Sequence, residues 1–283
     1  MFTSDQYELI DFGDGRRLER FGHRLLDRVA PAVESIVKSN PEVWKDADAR
    51  FERTGPDKGK WYGSGGLSDK WIISHNEYRF ELKITEFGHL GLFPEQAENW
   101  DWIAKQLEPD RGRPKVLNLF AYTGGSTLAA AKAGAEVVHV DSAKNTVRWA
   151  RRNAELSGLE NAPIRWIAED AVKFVQRELN RANQYEAIIL DPPSYGHGPK
   201  GEVWRLSRHL VKLLKMCADL TADRRRFVLL TCHTPWVGPG HLKELLLKTL
   251  GDGRTTARNL TIRASSGKNM AAGNVAIWTP QET

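Results

Sequence analysis

The chain has 283 residues, 41% hydrophobic and 27% charged, an ordinary globular composition with enough length for two domains that each bury a core. No apolar run approaches the roughly 20 residues that span a bilayer, the N-terminus lacks a basic segment followed by an apolar stretch, and Cys217 and Cys232 are far from CxxC spacing. A membrane span, a secretory leader, a bound metal and a disulfide framework are therefore not expected, and the sequence reads as a soluble cytoplasmic protein. The net charge of +5 is unevenly spread, since residues 1–110 hold 15 Lys and Arg against 21 Asp and Glu (−6) while residues 111–283 hold 26 against 15 (+11). A whole-domain positive excess concentrates polyanions by steering and counterion release, which makes nucleic acid a candidate partner.

In chain order, residues 7–91 are rich in glycine, aromatic and alternating segments and predict a smaller β-rich domain over 1–93. Residues 71–75 and 78–85 flank a short connection through Asn76 and predict a hairpin with Phe80, Leu82 and Ile84 on one face. Segments 54–60 and 63–66 read as loop. Residues 95–107 place Trp100, Ile103 and Leu107 on one face of a helix, with Pro94 suited to its first turn, and open a second domain over 94–283.

From Lys115 onward short apolar runs (116–120, 136–140, 164–167, 187–190, 227–230) alternate with helical segments (125–133, 143–157, 171–181, 203–220). This order predicts an α/β fold, a doubly wound and mainly parallel Rossmann-like sheet covered on both faces. A further helix at 242–250 and closing strands at 259–263 and 275–278 complete it. Ligands of such sheets sit at the carboxyl ends of the strands, where the strand order reverses.

Four strand ends carry candidate chemistry. The first ends in Asn118-Leu-Phe-Ala-Tyr-Thr-Gly-Gly-Ser126, whose glycines allow close approach of backbone to a ligand ahead of a helix N-terminus. The second ends in Asp141, a carboxylate suited to accepting hydrogen bonds from both hydroxyls of a ribose. The third ends at Asp170, which either accepts a bond from an adenine amino group or caps the helix that follows. The fourth ends in Asp191-Pro-Pro-Ser-Tyr195, where two prolines fix a rigid, extended ledge whose carbonyls are expected to stay free. An NAD enzyme would share Asp141 but should carry GxGxxG after the first strand, and this chain does not.

These motifs, together with Gly91-Leu-Phe-Pro-Glu-Gln96, Ala150-Arg-Arg-Asn153 and Gly201-Glu-Val-Trp204, resemble those of the class I S-adenosylmethionine-dependent methyltransferases. Within that class the chain is similar, from about Ile72 to its C-terminus, to the group typified by bacterial 23S ribosomal RNA methyltransferases. The resemblance implies that Phe93, Glu95 and Gln96 close over S-adenosylmethionine, and that Asn118, Phe120, Tyr122, Thr123 and Gly124 surround its methionine part. It further implies Asp141 on the ribose, Asp170 on the adenine and Asp191 beside the methyl sulfonium, with RNA as the acceptor. The chain departs from the group in two places. Glu95 and Gln96-Ala97 stand where an acid and an arginine usually follow the aromatic residue, and no RNA-binding PUA domain is recognisable in residues 1–93.

Methyl transfer from a sulfonium is an in-line displacement, so alignment supplies most of the catalysis. Carbon 5 of a pyrimidine additionally needs a thiolate at carbon 6, for which Cys232 is the candidate. The group's cysteine commonly lies about two residues later, where this chain has Thr234, and core packing is the competing reading of Cys232. Tyr195 is a candidate for stacking on a flipped base. The remaining alternatives are a methyltransferase for protein or a small molecule and a non-catalytic RNA-binding protein of the same fold. Nothing in the sequence sets an oligomeric state.

Overall fold

The computed structural model describes residues 1–55, 58–63, 69–107, 112–222 and 224–281. It divides into two compact units, one of Met1–Ala97 with Thr261–Ala272, the other of Glu98–Leu260 with Gly273–Thr283.

The first unit holds a five-stranded sheet in the order β1 (Tyr7–Gly13), β2 (Arg16–Phe21), β3 (Arg24–Val29), β4 (Ala49–Arg53), β5 (Gly59–Gly63). Neighbours are antiparallel except β3 and β4. A separate hairpin joins β6 (Trp71–His75) to β7 (Tyr78–Leu82) through Asn76, whose φ of 50° suits a tight turn. Phe80 and Leu82 are fully buried as the alternation requires, whereas Ile84 falls beyond the strand. Gly59 and Lys60, read from the sequence as loop, pair with Arg53 and Glu52 in β5, and positions 56, 57 and 64–66 of the expected loops lie outside the described residues. The core around Leu9, Phe12, Leu18, Phe21 and Leu26 also encloses Glu19. Burial alone would raise the Glu19 carboxyl, but Arg17 and Arg28 lower it overall, and the Tyr7 hydroxyl donates to it at 2.9 Å.

The second unit begins within α1 (Ala97–Leu107), one residue after its start, and a single 3-10 turn over Pro94–Gln96 precedes that helix. Then follow β8 (Lys115–Leu119), α2 (Gly125–Lys132), β9 (Glu136–Asp141), α3 (Lys144–Leu156), β10 (Ile164–Ala168), α4 (Ala171–Asn180) and β11 (Ala187–Leu190). A short hairpin of β12 (Tyr195–His197) and β13 (Val203–Arg205) precedes α5 (Leu206–Thr221), β14 (Phe227–Cys232), α6 (Pro239–Leu250), β15 (Arg254–Arg263) and β16 (Asn269–Thr279). The sheet order is β10-β9-β8-β11-β14-β16-β15, with β10 through β14 parallel and β16 antiparallel to β14. Val116, Leu117, Leu119, Ile188, Leu190, Val228 and Leu230 are all fully buried, as expected for strands covered on both faces. The order reverses between β8 and β11, so the loops leaving these strands diverge and leave a crevice at their carboxyl ends.

Two boundaries differ from the sequence reading. Residues 203–205 form β13 rather than the first turn of a helix, because they pair with residues 195–197. The chain also returns to the first unit between β15 and β16, where Ser265 N donates to Leu9 O at 2.9 Å and Ala264 bridges Leu9, so residues 94–283 are not one continuous body. Among the described residues no helix is long and apolar enough to cross a membrane.

Candidate active site

The loop leaving β8 is wound tightly. Phe120, Tyr122 and Gly124 have φ of 56°, 48° and 93°, so two residues with side chains occupy the left-handed region at a cost of about 1–2 kcal/mol each. Neighbouring groups hold them there. The Asp141 carboxylate accepts from Tyr122 N at 3.0 Å through Oδ2 and from Ala143 N at 2.9 Å through Oδ1, and Asn153 Nδ2 donates to Thr123 O at 2.9 Å. Gly124 lies against α3, where an added Cβ would meet Ala150 Cβ at 3.2 Å, and a Cβ on Gly125 would strike the Trp100 ring at 2.4 Å. Burial raises the Asp141 carboxyl, only partly countered by its two backbone donors.

Beneath this loop lies a buried polar chain that the sequence reading did not include. Asn118 Nδ2 donates to Thr127 Oγ1 at 2.8 Å, and Thr127 Oγ1 lies 2.9 Å from His139 Nδ1. All three residues are buried, and burial lowers the His139 pKa to about 3, leaving the imidazole neutral. Asn118, expected at the ligand, also braces the turn through Thr127. The one sequence signal was a histidine inside the apolar run of β9.

Asp170 caps α4 by accepting from Lys173 N at 2.9 Å, the structural of its two sequence readings. Phe93, Glu95 and Gln96 belong to the first unit, on and just before the 3-10 turn that ends it. Glu95 is buried there. Burial alone would lower the Arg17 pKa, but the Glu19 and Glu95 carboxylates raise it overall.

Asp191 follows β11 and is fixed from β14. Its Oδ1 accepts from Thr231 Oγ1 at 2.6 Å and lies 3.3 Å from His233 Nε2, an ion pair whenever the imidazole is protonated. Gly273 makes room for that ring, since a Cβ there would sit 2.8 Å from His233 Nδ1. The Pro-Pro ledge does not leave all its carbonyls free. Pro193 O accepts from Trp204 Nε1 at 2.7 Å and Ser194 O from Leu206 N at 3.0 Å, because β12 and β13 fold the chain back upon it. Tyr195 stands on this hairpin, 52% exposed, its hydroxyl 3.2 Å from His197 Nε2.

Cys232 is fully buried in the apolar core of the second unit, alongside Leu230 and Ala276. Thr234 occupies the place the group gives to its cysteine, and its Oγ1 lies 2.6 Å from Ser194 Oγ, tying the loop after β14 to the ledge after β11. This placement favours packing over nucleophilic chemistry. Cys217 is likewise core, its thiol pushed up by burial.

The donor set fits an adenosyl cofactor. A carboxylate offers about four acceptor sites, and at Asp141 two are taken by backbone N–H, which leaves the others for a vicinal diol. Gly124 carries no side chain over the turn, and the three adjacent parallel strands β9, β8 and β11 bring Asp141, residues 120–124 and Asp191 to one edge.

Comparison with known proteins agrees with this chemistry. The family model of S-adenosylmethionine-dependent methyltransferases matches residues 42–251. The crystal structure of a SAM-dependent methyltransferase from Agrobacterium tumefaciens superposes with a TM-score of 0.91 at 37% identity, covering 98% of this chain and 91% of that one. Curated relatives include ribosomal RNA large subunit methyltransferase K of Neisseria meningitidis serogroup B, 26% identical over 70% of this chain. Ribosomal RNA large subunit methyltransferase I of Aeromonas hydrophila is 38% identical over 57% of it. This chain spans only 54% and 39% of the length of these two relatives.

Proposed function

Because the chain belongs to the S-adenosylmethionine-dependent methyltransferase family, we propose that it transfers a methyl group to a base of RNA, ribosomal RNA in the first instance, in the cytoplasm. The observation that carries this reading is the shared edge of β9, β8 and β11, where the Asp141 carboxylate, a strained glycine turn and an anchored second carboxylate stand on neighbouring strands. The excess of 26 Lys and Arg over 15 Asp and Glu in residues 111–283 supports a polyanionic acceptor. The names of the two curated relatives support a ribosomal one.

The cofactor supplies an electrophilic methyl carbon on a sulfonium. Asp141 would hold the ribose diol, and the turn at residues 120–124, braced by Asn118, Thr127 and His139, would hold the methionine part. Tyr195 receives the target base on its ring. Asp191, fixed through Oδ1 by Thr231 and His233, accepts an N–H of the acceptor and so aligns its nitrogen for in-line attack. So aligned, the acceptor nitrogen would take the methyl group in line as the sulfur departs with the bonding pair, and the acceptor's own proton would leave to solvent. Cys232 takes no part, so the acceptor is a ring nitrogen or exocyclic amine rather than a pyrimidine carbon 5.

Incubation with methyl-labelled S-adenosylmethionine and total RNA, followed by nucleoside analysis, tests the proposal. A labelled N-methyl nucleoside is expected, with RNA affinity falling steeply as salt rises. Label found in protein or small molecules but not in RNA, or affinity indifferent to salt, overturns the RNA acceptor.

A further inference from the structure

The loop after β14 carries an aromatic ring that the reaction derived above leaves unused. Residues 233–238 are well anchored. Thr234 and Val237 are buried, Val237 N donates to Thr234 O at 3.0 Å, Asn274 Nδ2 donates to Val237 O at 2.8 Å, and Thr234 is tied to Ser194. Between these anchors Trp236 is 77% exposed. Leaving so large an apolar ring in water forgoes about 1.5–3 kcal/mol of burial, and an anchored loop gives it no means of turning inward.

Its location is specific. β14 and β11 are neighbours in the sheet, with Leu190 opposite Leu230, so Trp236 and Tyr195 stand on adjacent loops at the carboxyl edge, joined by the Ser194–Thr234 bond. Among the described residues of the second unit, these two supply the aromatic rings in its set of exposed large hydrophobic side chains. The exposed neighbours of Trp236 in its loop are His233, Pro235 and Gly238. With no other large apolar side chain exposed in its loop, the ring is suited to a planar partner more than to an apolar protein patch, which would need further apolar side chains around it. The five residues of the loop from His233 to Val237 bear no acid, and the positive charge of residues 111–283 favours a phosphate chain overall.

We propose that Trp236 is a stacking platform for an unpaired nucleobase of the RNA acceptor, adjacent to the base that is methylated. This inference rests on the RNA reading given above. Every base has a π-face, so such a platform adds affinity without demanding sequence, and its prior rigidity keeps the ordering cost low.

The test uses a labelled single-stranded RNA of about a dozen nucleotides, alone or annealed to its complement, with binding followed by fluorescence anisotropy over a series of salt concentrations. Trp236→Ala should weaken single-strand binding about 5- to 100-fold, the range produced by loss of one base–aromatic stack. Duplex binding should hardly change, and the slope of log Kd against log salt should stay the same, because no ionic contact is removed. Trp236→Phe should recover most of the loss. A wild-type protein that binds the single strand while Trp236→Ala binds it within twofold as well overturns the platform and leaves the RNA acceptor standing. Equal losses on single strand and duplex, or a Phe variant as weak as the Ala variant, also overturn it. A wild-type protein that binds no RNA overturns the platform together with the reading on which it rests.

Discussion

Replacing Asp141 by asparagine separates the charge of this side chain from its shape. The carboxylate accepts from Tyr122 N and Ala143 N, which leaves its other acceptor sites for the ribose diol it is proposed to bind. Hydrogen bonds to a charged group contribute about 1.5–3 kcal/mol each. An amide retains one neutral acceptor and points an NH2 group where an acceptor is needed, so about 2–4 kcal/mol of binding should be lost, or roughly 30- to 1000-fold in Kd. The same NH2 faces a backbone donor and leaves it unsatisfied, which costs about 1–3 kcal/mol of stability and lowers Tm by about 2–4 °C per kcal/mol. Titration calorimetry with S-adenosylhomocysteine, at a temperature well below the variant's Tm, reads the binding loss without the folding loss. An analogue lacking the ribose hydroxyls should bind wild type and variant alike. The pH dependence follows from the same group. Burial raises its pKa, so if the ionised form binds the diol as proposed, affinity should be full above the raised value and fall on acidification sooner than an ordinary carboxyl near 4 would dictate. Asp141→Asn should abolish that dependence. A variant that binds within threefold of wild type, or an unaltered pH profile, would refute Asp141 as the ribose ligand.

Gly125→Ala drives a methyl group into the Trp100 ring, which should cost about 1–3 kcal/mol by overpacking and weaken cofactor binding by displacing the turn; an unchanged melting temperature would show that the ring yields freely. Cys232→Ala removes one small buried group, so turnover should persist with a stability loss of about 1 kcal/mol. A covalent adduct with 5-fluorocytosine-containing RNA that disappears in this variant would instead establish the thiol as nucleophile.

The alternation of buried apolar runs with amphipathic helices makes the doubly wound sheet legible in the amino-acid sequence, because local periodicity reports directly which faces are covered. The residues at the strand ends are legible for a related reason. Phe120 to Gly125, Asp141, Asp170 and Asp191 interrupt apolar runs where the chain must leave the sheet, and polar or glycine residues there are conspicuous. What these residues hold is not legible. The left-handed backbone at Phe120 and Tyr122 is stabilised by a carboxylate 19 residues further along, and Asp191 is fixed by Thr231, 40 residues away, and by His233. Residues 203–205 read as helix by local pattern, and only their pairing with residues 195–197 makes them a strand; the return of residues 261–272 to the first unit likewise depends on bonds to Glu8 and Leu9. Asn118 and Asp170 each stand out as ligand candidates, and what the sequence does not show is that their side chains also bond to Thr127 and to the start of α4. Local sequence sets which residues are buried and where an element stops, through propensity and period. Which group accepts a given hydrogen bond is set by chain segments tens or hundreds of residues apart, and only the folded sheet brings them within about 3 Å.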